Sequence, residues 1–251
     1  MSGPPRAALE RELERIQGDL LRLGERLDQA IERSIAALTR HDLDLARQIV
    51  EDDAGINALR YSLEEACLRL IATQQPAAGD LRMVVAALSI VSDIERMADH
   101  AAGIARTVLR SDEPPRTPPP QELARMAELC RSMTRQALQA FVARDAEAAR
   151  AIALRDDAID DLYTRAFQTL LARMVEDPHS SKEPLRLLFA AHNLERIGDR
   201  ATNIAERVVF LASGELTELN PEPDAPADLQ QAARHGLADS ASPRRVNRTG
   251  L

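Results

Sequence analysis

The chain has 251 residues, of which 45% are apolar, only 2% aromatic and none Trp, and its formal net charge is -8. That charge and the shortage of stacking platforms exclude a sequence-general nucleic-acid binder. The longest apolar stretch, Met83–Val91, is far short of the roughly 20 residues that cross a bilayer, so no membrane insertion is expected.

A core so poor in aromatics has to be built from Leu, Ile, Val and Ala, which favours helix packing over sheet. The basic residues are almost all Arg, with Lys182 the exception. Cys67 and Cys130 stand alone in apolar, helix-like surroundings, without Cys-x-x-Cys or Cys/His zinc spacing. They read as buried free thiols and suit a reducing, cytoplasmic location. The N-terminus opens on charged amphipathic sequence, not on a basic-then-apolar leader.

In chain order, Leu9, Leu13, Ile16, Leu20, Leu23, Leu27 and Ile31 recur at three- and four-residue steps and predict a first helix to about Arg40. Asp42 can cap a second, which runs to about Gln74 and is stopped by Pro76. Asp80 can cap a third, through about Arg110. Ser111–Pro120 holds five prolines and reads as a linker. A fourth helix is expected over Gln121–Arg144 and a fifth from near Asp145 to before Pro178. A sixth, with Pro184 in its first turn, ends at Gly214. The domain reading is a tail over 1–7, a first three-helix repeat over 8–110, the linker over 111–120, a second repeat over 121–214, and a C-terminal tail over 215–251 expected to be disordered.

The two repeats can be aligned residue by residue. Ala46-Arg47-x-Ile49 returns as Ala149-Arg150-x-Ile152, and Asp53-x-x-Ile56 as Asp156-x-x-Ile159, at a separation of 103 residues. Glu95-Arg96-x-x-Asp99-x-Ala101 returns as Glu195-Arg196-x-x-Asp199-x-Ala201 at a separation of 100. The expected fold is therefore all-α, two tandem three-helix bundles related by internal duplication.

Glu195, Asp199, Thr202 and Glu206 fall within about 60° of one another on a helix of about 100° per residue. The apolar Leu194, Ile197, Ala201, Ile204 and Val208 lie on the other side, so this oxygen-rich stripe is expected to face away from the core. Asp156 and Asp160 on the preceding helix add a second acidic pair. In the first copy the corresponding residues are Glu95 and Asp99, with Asp53 and Asn57, and Arg106 stands where the second copy has Glu206. Such stripes suit hard cations, Mg²⁺, Mn²⁺ or iron, with no organic cofactor. An isolated pair of this kind is ordinarily a solvated charged face; its return in the same register argues for a shared role. His192 reads as exposed and His100 as a surface or supporting residue. Di-iron bundles use inward Glu-x-x-His pairs, and the one match, Glu176 to His179, is interrupted by Pro178. No phosphate-cradling Gly-rich loop, Ser-His-Asp set or activated Cys is found, so no enzyme is expected.

These residues resemble a family. Gln75-Pro76 with Asp80-Leu81-Arg82, the segment Asp93–His100, and Asn193-Leu194-Glu195-Arg196-Ile197-Gly198-Asp199 are similar to the QPxxxDLR and doubled LERIGDH elements of PhoU proteins. The resemblance covers about residues 9–216. It implies a cytoplasmic, non-enzymatic regulator that works with the Pst-type phosphate transporter and the sensor kinase of the phosphate response, restraining that response when phosphate is plentiful. It also implies a homodimer and a multinuclear metal cluster held through E(D)xxxD elements. Ala98, Arg200 and Asn57 depart from the family's usual Gly, His and acid. The alternatives are a metal-storing or oxidase bundle and a structural helical adaptor.

Overall fold

The structure is a computed structural model and describes residues 5–111, 114–115, 117–178 and 181–220. Among these residues there are seven helices and no strand: α1 (Pro5–Arg40), α2 (Leu43–Gln74), α3 (Ala78–Leu109), α4 (Gln121–Ala143), α5 (Ala146–Ala153), α6 (Asp156–Glu176) and α7 (Lys182–Ser213). None is long and apolar enough to cross a membrane. The all-α, duplicated expectation holds. The tail beyond Asn220 and residues 1–4 lie outside the described residues.

The local signals are physical. Leu9, Leu13, Ile16, Leu20, Leu23, Leu27 and Ile31 are all buried, forming the inner stripe of α1. Asp42 accepts a hydrogen bond from the Leu45 N–H at 2.9 Å and Asp145 from the Ala148 N–H at 3.0 Å, so the same cap opens α2 and α5. Gly214 closes α7 at φ +83°, a left-handed position that favours glycine.

Two expectations need correction. Asp80 does not cap α3: Ala77 holds that position, and Asp80 sits in the first turn, where its Oδ2 takes Arg6 Nη1 at 2.7 Å. An acid there still favours the helix through the macrodipole. The fifth helix is not continuous. It breaks at Leu154–Arg155 into α5 and α6, whereas the matching Glu51 and Asp52 lie inside an unbroken α2. At the break, Arg155 reaches to α4, donating to Ser132 Oγ at 3.2 Å and to Gln136 Oε1 at 3.2 Å. α6 then restarts with Asp156 and Asp157 in its first turn.

Helices α1–α3 form the first copy and α4–α7 the second. One continuous apolar core joins them. The most extensive helix pairing is α3 with α7, and α1 also packs on α4, where Arg131 grips Asp28 through two hydrogen bonds of 3.0 and 2.7 Å. Along the α3–α7 seam, His100 Nδ1 lies 3.0 Å from Asn193 Oδ1, and Arg200 Nη1 lies 3.4 Å from Asp93 Oδ1. At the repeat separation of 100, His100 matches Arg200 and Asp93 matches Asn193. The position of His100 in each copy thus meets the position of Asp93 in the other, the reciprocal pairing that an approximate two-fold requires.

Candidate functional site

The acids of the second copy meet where the start of α6 lies on the middle of α7. Gly198 makes this approach close: a Cβ there would stand 2.6 Å from Ile159 Cδ1 and 3.4 Å from Asp156 Oδ1. Asp156 is 7% exposed, with Asp160 one turn along α6. Opposite them, Asp199 has its carboxyl pushed up to about 6, first by burial and then by Glu195 and Asp156, with Arg196 and Arg200 opposing. Burial also raises Glu195, against Arg196 and together with Asp160 and Asp156. Asp160 is raised by burial and then by Asp156 and Asp199. The four carboxylates therefore share one partly dehydrated site.

This corrects the expected orientation of the stripe. It does not face open water; it faces α6, with Glu195 half-buried and Thr202 buried. A helical wheel shows which residues share a face, not what covers that face.

Positive charge already reaches the site from its rim. Arg196 Nη1 donates to Asp199 Oδ2 at 3.3 Å, and its Nε lies 3.5 Å from Glu195 Oε2, so this half-exposed guanidinium bridges the pair. His192 is exposed, as the sequence suggests, yet its Nδ1 stands 3.4 Å from Glu195 Oε2 and its ring 6.4 Å from that of Tyr163. Glu206 does not join the group. Its Oε1 accepts the Leu219 N–H at 2.9 Å, and Leu219 belongs to the segment that follows α7.

In the first copy the structure brings Asp53, Glu95 and Asp99 together. Burial raises the Asp53 carboxyl, Asp99 and Glu95 raise it further, and Arg106 opposes them. Glu95 Oε1, however, takes Arg60 Nη1 at 2.7 Å. Arg60 occupies the position of Tyr163 in the second copy. Asn57 Nδ2 donates to Asp53 Oδ2 at 3.3 Å, and Ala98 fills the place of Gly198. Arginine thus supplies from within what a bound cation would supply from outside.

Carboxylates raised by burial and then by one another are a donor set for a hard divalent cation, which would offset their mutual repulsion. The second copy fits that chemistry, and the first fits it less. Among the described residues, no three of His, Cys, Asp and Glu are drawn together so as to hold one ion as they stand. Glu176 ends α6, and His179 lies outside the described residues.

Sequence reading did not bring Asp93, Asn193, His100, Arg200 and Asn203 together at a seam between the copies, where Asn203 also hydrogen-bonds the Asp93 carboxyl. The signal was present in the aligned repeats, where Asp93 matches Asn193 and His100 matches Arg200.

The sequence matches the PhoU domain over residues 20–108 and again over 123–208. It is 37% identical over 204 residues to a phosphate-specific transport system accessory protein PhoU homolog of Pseudomonas putida, covering 81% of this chain and 80% of that one. A homolog so named from Zymomonas mobilis is 39% identical over 207 residues, covering 82% and 87%. The crystal structure of the phosphate transport system regulatory protein PhoU from Streptococcus pneumoniae is similar at a TM-score of 0.77 and 33% identity, over 83% of this chain and 99% of that one. PhoU from Pseudomonas aeruginosa superposes at 0.76 with 35% identity, over 82% and 99%.

Proposed function

The chain belongs to the PhoU family, and from that premise we propose that it is an accessory regulator of a phosphate-specific transport system. It restrains the phosphate-starvation response by contacts with a Pst-type transporter and its sensor kinase, working in the cytoplasm as a homodimer. The observation that carries this reading is the doubled Glu-Arg-x-x-Asp helix, each copy set against a helix of its own repeat in a fold shared with two PhoU proteins. Regulation through contacts, without catalysis, is supported by the state of the thiols. Burial pushes Cys67 up to about 11 and Cys130 further still, so neither is an activated nucleophile.

A Mg²⁺, Mn²⁺ or iron ion, or a small cluster of them, would be held by Asp156, Asp160, Glu195 and Asp199 in place of the Arg196 guanidinium, and would supply the positive charge that offsets their mutual repulsion. Asp53, Glu95 and Asp99 form the weaker counterpart. A metal-free adaptor is the second reading, favoured by the Arg196 bridge and by Arg60 on Glu95.

The test of function is deletion in the source organism with a reporter on a phosphate-starvation promoter. Expression in phosphate-replete medium should rise. An unchanged reporter in a strain lacking every PhoU-type gene refutes the regulatory reading.

A further inference from the structure

A cavity of about 380 Å³ lies between the C-terminal end of α3 and the first half of α7, walled by Arg106, Arg110 and Arg186, with Thr107, Asn193 and Phe189 completing it. We propose that it binds a small phosphorylated anion. In a chain whose net charge is -8, three arginines line one concavity and, among the described residues, no acid lines it. Among the described residues none of the three is in ion-pair contact with a carboxylate, although the charge of Arg106 is felt at Asp53. Arg186 Nη1 donates to Ser111 Oγ at 2.7 Å, which fixes the guanidinium at the wall. Three like charges around one cavity repel one another, and an anion between them turns that repulsion into attraction.

The other polar walls are already engaged. Thr107 donates to the Gly103 carbonyl at 3.0 Å, and the Asn193 amide donates to the Phe189 carbonyl at 2.7 Å. Recognition therefore falls to the arginines, whose forked donors match phosphate oxygens. The volume is within the range of small-molecule sites and exceeds what one phosphate group needs. Phe189 is 57% exposed and offers a flat apolar surface beside the charges.

The two-fold counterpart of this cavity is built differently. Glu206 replaces Arg106 and Phe210 replaces Arg110, and the segment after α7 closes on Glu206 through the Leu219 N–H. After α3, by contrast, Thr117 N–H donates to Glu183 Oε1 at 3.2 Å by the start of α7, and no described residue of this connection lines the arginine cavity. The duplication has thus acquired a basic concavity on one side only. This inference rests on the cavity and not on the regulatory reading, which a negative result here leaves standing.

The test is calorimetric titration of the intact protein at low salt in EDTA, with orthophosphate, pyrophosphate and ATP as separate probes. Saturable binding of at least one is expected. Arg106→Gln and Arg186→Gln should each weaken it about tenfold, and the double substitution should abolish it. Arg165→Gln, on the exposed face of α6, should change nothing. A Phe189→Ala variant that weakens ATP but not pyrophosphate identifies a ligand with a ring; equal binding identifies a bare phosphate group or chain. Unchanged thermal unfolding shows that each variant is folded. Failure of all three probes to saturate at millimolar concentration overturns the proposal. So does binding indifferent to the double substitution.

Discussion

His100 and Asn193 face each other across the α3–α7 seam with Nδ1 and Oδ1 3.0 Å apart, and Arg200 and Asp93 repeat the relationship with the roles of the two copies exchanged. One pair is neutral when the imidazole is neutral, and the other is charged. Gly103 and Asn203 extend the correspondence: Asn193 Oδ1 lies 3.0 Å from where a Cβ on Gly103 would be, while Asn203 hydrogen-bonds Asp93. The seam therefore keeps its two-fold geometry while its chemistry has diverged.

Asp93 is 9% exposed, and burial raises its carboxyl against the pull of Arg200. Arg200→Ala should lower stability by about 1–3 kcal/mol, because it leaves a buried carboxylate with fewer partners. Asp93→Asn introduced on that background should recover most of the loss. Urea unfolding of the single and double variants measures both. Equal stability of wild type and Arg200→Ala would show that the pair contributes nothing.

Gly198→Ala should cost about 1–3 kcal/mol by overpacking, since the new methyl group meets Ile159 Cδ1. Ile159→Val removes that atom and should restore part of the loss, even though Ile159→Val alone destabilises. The first copy carries Ala98 at the matching position and Ile56 where the second has Ile159, so the fold as such tolerates the methyl group. Chemical denaturation of the three variants decides the matter; a neutral Gly198→Ala would mean that α6 does not press on α7 here.

The Asp199 carboxyl is raised from 3.8 to about 6 in the folded chain. The native state therefore binds more protons than the unfolded state between about pH 4 and 6. The favourable contribution of this group is complete below about 4 and is lost as pH rises through about 6. Asp160 and Glu195 are raised too and act in the same direction. Asp199→Asn should stabilise the protein at pH 7 in EDTA by about 1 kcal/mol, the shift being discounted for a side chain about a third exposed. It should also flatten stability between pH 4 and 6. Unfolding curves at pH 5 and 7 give the answer, and destabilisation at pH 7 would contradict it.

If the proposed ion binds, the two copies should differ. Titration of Mn²⁺, followed by its paramagnetic resonance signal, should show weaker binding for Glu195→Ala than for Glu95→Ala, because Arg60 already holds Glu95. The opposite order, or no binding by the parent chain, would count against this assignment.

Much of this architecture could be read in advance, and the reasons are local. The period of Leu9 through Ile31, the cap at Asp42, the helix start near Asp145 and the stop at Gly214 each depend on neighbours within about one turn. The matched positions of Glu95 and Glu195 were equally visible. What remained hidden depends on residues distant in sequence. Arg155 meets α4, and the fifth helix breaks there. The helix bearing Glu195 is amphipathic on any wheel, yet only the packing of α6 makes its polar side a partly buried one. Glu206 shares the arc of Asp199 but lies about 10 Å further along the helix at about 1.5 Å per residue, where the returning chain claims it.

The reciprocity of the seam also bears on assembly. An isologous surface of this kind would join two separate copies equally well. Here the residue 110–120 connection tethers the two faces in one chain, at an effective concentration on the order of millimolar or above, which outcompetes any pairing between chains through the same surface. The gene duplication has converted what could have been a dimer contact into an internal one, and self-association of the full chain has to use a different face.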